Sequence, residues 1–363
     1  MSYRYLGKSG LRISPLTLGT MMFGGATDES QSHRIIQDAR ERGINSIDTA
    51  DVYNAGESER VVGRALKDNR DFWVLASKLA NPAGEGPNER GMSRKWIFQS
   101  VEASLKRLGT DYLDILYIHR EIPDEPLGEA IRAIADLIRQ GKLRYFGVSN
   151  FRGWKIADTV RLADALGIDR PVASQPLYNL VSRQAEVEQL PAAANYGIGV
   201  ISYSPLARGV LTGKYAADAP PPPDSRAGRG DKRIQQTEFR VESLQVAQKV
   251  KAHAEQRGVS AADFALAWVL NNRYVTSAIV GPRTFEQWQA YLKALEYRLT
   301  EDDEALIDSL VTPGHASTPG YSDPGHPVKG RVPYPASEGP GDFSTYAKPA
   351  GSDQPDNRQG NAR

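Results

Sequence analysis

The chain contains no cysteine. That absence excludes disulfides, thiolate zinc sites, iron–sulfur clusters and a cysteine nucleophile in one step. No apolar run approaches the ~18 residues that a membrane-spanning helix needs. The N-terminal stretch MSYRYLGKSGLRIS has no apolar signal core, so the sequence predicts no signal peptide, no membrane partner and a cytoplasmic protein. Net charge is almost absent as well, because 45 Lys+Arg against 44 Asp+Glu leave +1. A general nucleic-acid binder needs a basic excess, so nucleic acid is not an expected partner. Residues 313–363 lack Leu, Ile, Met and Trp and hold 9 Pro and 8 Gly in 51 positions. Such a segment cannot bury a core of its own. The expectation is a domain over 1–312 and a Pro/Gly-rich tail over 313–363. The tail would begin over the domain and end in ~15 disordered residues.

What is present is a regular alternation. Short apolar runs occur at LTLG (16–19), INSIDTA (44–50), FWVLAS (72–77), LDILYIH (113–119), LRYFGVS (143–149), VASQPLY (172–178), GVISYS (199–204) and TSAIVG (276–281). Runs apolar on both faces suit buried parallel strands. Helical periodicity fills the gaps. Trp96, Val101, Leu105 and Leu108 share a face ending at Gly109, and Pro126 and Gly141 bracket the next helix. Eight such units in about 300 residues favour an α/β fold of the closed (β/α)8 TIM-barrel type. Residues 3–14 read as an N-terminal hairpin, and 205–258 as a long loop plus an extra helix near 238–257. The rival, an open dinucleotide-binding sheet, needs a G-x-G-x-x-G after an early strand, and none occurs.

In a barrel of this kind chemistry sits at the carboxyl ends of the strands. Asp48, Tyr53, Lys78 and His119 fall at or just beyond three neighbouring ends. A buried Lys would pair with Asp48. Beside Tyr53 it would lower the phenol pKa from about 10 and make a general acid for a developing alkoxide. His119 could orient the same oxygen. Such a site moves a proton and needs a hydride source, which a reduced nicotinamide supplies. A barrel glycosidase would need two carboxylates roughly 5–10 Å apart, and Asp48 has no obvious second. Taken singly, each residue has an ordinary reading: a cap, a packing tyrosine, an edge lysine, a core histidine. The Glu57/Glu59/Arg60 cluster reads as a helix start. His315 and His326 lack metal-ligand spacing, so no metal is expected. The basic cluster Arg226, Arg229, Lys232 and Arg233 reads either as a solvated loop or as a phosphate clamp.

NSIDTADVYNAGESERVVGRAL, VLASK, DYLDILYIHR, GKLRYFGVSNF, ASQPLYN, ISYSPLARGVLTGKY and SAIVGPRTFEQ together resemble the aldo-keto reductase superfamily over roughly residues 3–312. The likeness is to the branch that includes potassium-channel β subunits. It implies a (β/α)8 barrel that binds extended NADP(H) and reduces small aldehydes or ketones reversibly. It implies Tyr53 as proton donor, Lys78 and Asp48 as its tuning pair, and His119 as orienting group. Ser149, Asn150 and Gln175 would hold the nicotinamide carboxamide, with Tyr203 on its ring. Ser204, Leu206, Gly209 and Lys214 would line the pyrophosphate. Arg226, Gly281, Arg283 and Gln287 would take the adenosine and 2′-phosphate, and Thr20 and Met21 the nicotinamide ribose region. Ala290 and Tyr291 depart from the Glu and Asn that many relatives place near the adenine. The alternative function is a slow-turnover regulatory or redox-sensing subunit that binds NADPH. Phe23, Trp154, Tyr178, Tyr321 and Tyr334 are the candidates for an aromatic substrate pocket.

Overall fold

A computed structural model describes residues 1–122 and 125–328. Eight parallel strands close into a barrel: β3 (Leu16–Gly19), β4 (Ser46–Asp48), β5 (Val74–Leu79), β6 (Leu113–Ile118), β7 (Leu143–Ser149), β8 (Ala173–Gln175), β9 (Gly199–Ser202) and β10 (Val275–Val280). β10 returns to pair with β3, so no edge is left open. Every strand overlaps a run read from the sequence; β5 begins two residues later than its run and continues two residues past it, through Lys78 and Leu79, and β4, β8 and β9 are two or more residues shorter than their runs. The short hairpin β1 (Arg4–Tyr5) and β2 (Arg12–Ile13) stands before the barrel.

The helices are α1 (Glu29–Glu41), α2 (Glu57–Leu66), α3 (Arg94–Leu108), α4 (Leu127–Arg139), α5 (Gly153–Leu166), α6 (Gln189–Tyr196), α7 (Lys232–Gln236), α8 (Val241–Gln256), α9 (Ala261–Asn271), α10 (Phe285–Lys293) and α11 (Glu301–Leu310). Their ends obey local chemistry. Ser93 caps α3 by accepting from the Trp96 N–H, and Gly109 closes it in the left-handed region. α4 buries Leu127, Ala130, Ile131, Ile134 and Leu137, so its packing comes from one apolar stripe. Each of its large aliphatic side chains contributes about 1.5–3 kcal/mol on burial.

Alternation along the strands positions the site. Val74, Ala76, Ile115, Tyr117, Ala173 and Ile201 fill the barrel interior together with Leu6 and Ile13 of the hairpin segment. Continuing the same inward faces by two residues gives Lys78 on β5, His119 after β6 and Gln175 on β8. Gly147 is required opposite this layer, because a Cβ there would lie 2.6 Å from the Tyr117 ring and 2.7 Å from the Ala173 carbonyl oxygen.

The compact unit among the described residues runs from Met1 to Tyr321. Within it, Ser317 N–H donates to Val181 O at 3.1 Å and the Arg240 guanidinium stacks 3.7 Å from the Tyr321 ring. The expected disordered end of the tail and Tyr334 lie outside the described residues. Among the described residues no helix is long and apolar enough to cross a membrane.

Candidate active site

Asp48, Tyr53, Lys78 and His119 meet at the carboxyl ends of β4, β5 and β6. Lys78 is 1% exposed and its ammonium is the hub. Nζ donates to Asp48 Oδ1, to Thr49 O at 2.8 Å and to Tyr53 Oη at 3.1 Å. Three acceptors use its three hydrogens. Asp48 Oδ2 accepts from Gln175 Nε2 at 2.8 Å, so the carboxylate is held from both sides. The Tyr53 and His119 rings meet edge to face, centroids 5.9 Å apart. Asn81 Nδ2 lies 3.0 Å from His119 Nδ1. An amide donor there makes Nδ1 the acceptor and places the imidazole proton on Nε2.

The electrostatics correct one expectation. Burial, the largest influence, pushes the Tyr53 phenol above its ordinary value; Lys78 pulls it down and Asp48 pushes it up again. The net direction is upward, because desolvation of a phenolate outweighs the one cation beside it. Burial alone would lower Lys78, but Asp48 and then Tyr53 hold its ammonium above the usual lysine range. Tyr53 sits at the start of an unusual turn, in which Asn54, Ala55 and Gly56 have φ of 48°, 55° and 85°. Non-glycine residues in this region cost of order 1 kcal/mol or more and persist only where surroundings enforce them. Asn54 is fastened by Nδ2 bonds to Phe23 O (2.8 Å) and Met21 O (3.0 Å).

Ser149, Asn150, Gln175 and Tyr203 form one network at the ends of β7, β8 and β9. Ser149 Oγ donates to Gln175 O at 2.9 Å; Asn150 Nδ2 donates to His119 O (3.0 Å) and Ser149 Oγ (3.1 Å); Tyr203 Oη donates to Asn150 Oδ1 at 2.7 Å. A carboxamide entering here would exchange partners with Asn150. Beyond β9, Ser204, Ala207, Arg208 and Gly209 all have positive φ (56°, 49°, 54° and 99°). Turns of this kind can cradle anions; here the Ala207 and Gly209 N–H groups donate within the turn, to Ser204 O (2.9 Å) and Leu206 O (2.8 Å). Lys214 reaches the same turn, and a Cβ at Gly209 would lie 3.2 Å from its Nζ. The donor set and this cradle fit a dinucleotide with an anionic pyrophosphate. Arg283, half-buried before α10, makes no side-chain ion pair among the described residues, while Gln287 Oε1 accepts its main-chain N–H at 2.8 Å. Leu206 is buried, and Met21 and Gly281 are exposed nearby along the rim.

Other residues are engaged differently. Thr20 is fully buried; its hydroxyl bonds Asp48 O (3.1 Å) and Ser58 Oγ (2.8 Å), which ties β3 to α2. Arg226 Nε pairs with Asp231 Oδ2 at 2.9 Å, within its own loop. Phe23 and Tyr178 are 0% and 1% exposed and belong to the core, not to a substrate pocket. Trp154 is 55% exposed. Tyr291 packs half-buried against the core, and Ala290 is exposed.

Sequence reasoning missed Asn81, Arg208, Asp51 and Glu59. Arg208 has its Nε on Glu238 Oε2 (3.0 Å) and Thr237 Oγ1 (3.1 Å) and helps lower Tyr53. Its position inside SPLARGVLTGK was the available signal. Glu59 lies in the first turn of α2, as expected of a helix start, but it is fully buried and ion-paired to Arg107 at 2.5 Å.

The sequence profile of the Aldo/keto reductase family matches residues 15–312. A protein of Arabidopsis thaliana named "Probable voltage-gated potassium channel subunit beta" is 37% identical over 301 residues, 82% of this chain and 92% of its own length. An uncharacterized oxidoreductase of Bacillus subtilis is 36% identical over 330 residues, 88% of this chain and 98% of its own. A putative voltage-gated potassium channel subunit beta of Schizosaccharomyces pombe is 37% identical over 324 residues, covering 85% and 93%.

Proposed function

Because the chain belongs to the aldo/keto reductase family, we propose that it is an NADP(H)-dependent oxidoreductase that interconverts small aldehydes or ketones with their alcohols. The observation that carries this reading is the direction of one hydrogen bond. Lys78 donates into Tyr53 Oη. The phenol's own hydrogen is therefore left to donate outward, to a carbonyl oxygen seated between Tyr53 and His119.

NADPH, when bound, supplies hydride to the carbonyl carbon. The chain's residues do the rest. The His119 Nε2 proton and the Tyr53 hydroxyl polarise the carbonyl oxygen as negative charge develops. Tyr53 passes its proton to that oxygen, and Lys78 stabilises the phenolate left behind. Asp48, held by Gln175, keeps the ammonium in place. Ser149, Asn150, Gln175 and Tyr203 would hold the nicotinamide end. The 204–209 cradle and Lys214 would hold the pyrophosphate.

The test is a panel of aldehydes and ketones with NADPH oxidation as readout, alongside calorimetric titration of NADPH. Turnover within the usual enzyme range of roughly 1–10³ s⁻¹ is the expected result. The names of the plant and yeast relatives favour a second reading, a regulatory or redox-sensing subunit that binds NADPH and turns over slowly. Tight NADPH binding with turnover far below about 1 s⁻¹ on every carbonyl of the panel would establish that reading instead. No binding of NADPH or NADH would contradict both.

Cofactor choice gives a further prediction. Arg283 is half-buried and makes no side-chain ion pair among the described residues, and Arg suits phosphate geometry. Arg226 is the weaker candidate, since Asp231 already neutralises it. NADPH should bind tighter than NADH by roughly 1–3 kcal/mol, about 5- to 150-fold in Kd. Arg283→Ala should remove most of that gap and leave NADH affinity unchanged. Equal Kd values for both cofactors in the wild-type protein would show that the 2′-phosphate is not read.

A further inference from the structure

Behind the tetrad lies a second ionisable group that the chemistry above does not use. Asp51 stands two residues before Tyr53, in the turn between β4 and α2, and is 5% exposed. Its main-chain N–H donates to Lys78 O at 3.2 Å, which fastens this turn to the strand carrying the lysine. Its side chain is held by α3, where Ser100 Oγ donates to Oδ2 at 3.1 Å. The charged groups facing it are Glu59 on α2 and Arg107 on α3; β5 offers it the Lys78 carbonyl and no charge.

These groups are unevenly shared. Glu59 Oε2 takes the Arg107 Nε and Glu59 Oε1 takes Ser77 Oγ at 2.6 Å. One guanidinium thus stands beside two buried carboxyls and is bonded to Glu59. Among the described residues, Asp51 Oδ1 is buried with no hydrogen-bond partner, as is the indole Nε1 of Trp96, one helical turn before Ser100. A full negative charge on such an oxygen, against Glu59, is expensive. Burial first, then Glu59, pushes the Asp51 carboxyl up to about 7.

We propose that Asp51 is a positioning residue for the Tyr53 hydroxyl: its uncharged carboxyl seats the turn that carries Tyr53 against α3 beside Ser100, and a negative charge there, repelled by Glu59, pushes that turn out of its seat. The role rests on Tyr53 being the proton donor. The turn beyond Tyr53 holds three left-handed residues in a row, so its shape depends on such outside ties. A donor displaced by about 1 Å can lose up to ~100-fold in rate.

Asp51→Asn keeps the size and the acceptor for Ser100 but cannot ionise. In the wild-type protein kcat for carbonyl reduction should fall, on the order of tenfold, as pH rises through about 7, with KM for NADPH unchanged. Asp51→Asn should lose that limb and keep its activity across it. Two readouts do not depend on activity. The infrared C=O stretch of a protonated carboxyl should titrate out over the same range in the wild-type protein and be missing from Asp51→Asn. The sign of the stability effect is also set. A carboxyl raised on folding stabilises most below its unfolded value of about 3.9, and that stabilisation is lost as pH climbs through the folded one. The wild-type Tm should therefore fall relative to Asp51→Asn between those values.

The same pH limb in Asp51→Asn as in the wild type, or an infrared spectrum without the titrating carboxyl, overturns the proposal. If Asp51→Asn does not fold, Ser100→Ala serves. It removes a bond that favours the ionised form, so the limb should move to higher pH, and an unmoved limb overturns the proposal. Tyr53→Phe separates this idea from the reading it rests on. An active Tyr53→Phe protein removes the donor assignment and this role with it. An inactive one, with an unaltered limb in Asp51→Asn, removes this role alone.

Discussion

Tyr53→Phe is expected to lower kcat for carbonyl reduction by about 10²–10⁴ while NADPH still binds. Only the phenolic oxygen is lost, the hydroxyl being replaced by a hydrogen. The ring keeps its edge-to-face contact with His119 and its place 4.8 Å from the Lys78 ammonium. The lost groups are the donor to the substrate oxygen and the acceptor of one Lys78 hydrogen bond. Lys78 retains Asp48 and Thr49 O, so the fold should tolerate the change. Steady-state kinetics together with calorimetric NADPH binding check this. Turnover near wild type would mean that Tyr53 is not the donor.

Lys78→Met should have the second largest effect, and on two quantities. It leaves Asp48 Oδ1 and Thr49 O without their donor in a buried site. Removing one partner of a buried pair costs about 3–5 kcal/mol, so Tm should fall well beyond the loss in Tyr53→Phe. Activity should fall with it, because the phenolate formed on proton transfer loses its cation. The pH profile carries the specific signature. Lys78 pulls the Tyr53 phenol down, against burial and Asp48, which push it up. Without Lys78 the phenol rises further. Reduction requires the protonated phenol, so the alkaline fall in residual activity should move to higher pH. Residual activity with an unmoved profile would assign Lys78 a structural role only.

The four central residues could be found in the sequence because strand periodicity and fold class alone bring neighbouring strand ends together. Lys78 follows FWVLAS, a run with no polar face, and its burial follows from that run. The eight strands were legible for the same reason. β8 kept only Ala173–Gln175 of VASQPLY because Pro176 has no N–H for the ladder; an isolated bridge from Leu177 to Tyr203 follows, and Tyr178 then turns to the core. Phe23 was likewise not separable from a pocket aromatic, since both kinds sit in rim loops.

Pairings at long range were illegible. Nothing in ESERVVGRAL distinguishes Glu59 from Glu57, yet helix phase sends one to Arg107 beneath the site and leaves the other half-exposed. Asp231 closes on Arg226 through loop geometry that spacing does not encode. The direction of the Tyr53 shift depends on how much water the site excludes. A list of neighbouring charges carried the Lys78 contribution and omitted the larger one from burial.

The most direct measurement of the central claim is isotope transfer. The wild-type protein would be incubated with NADPH deuterated at the transferable position and an aldehyde on which it turns over, and the alcohol would be analysed by mass spectrometry. The account predicts one deuterium on the former carbonyl carbon, and none above background when Tyr53→Phe replaces the wild type over the same time. Alcohol formed without deuterium, or NADPH bound and no alcohol formed from any aldehyde or ketone tested, would contradict it.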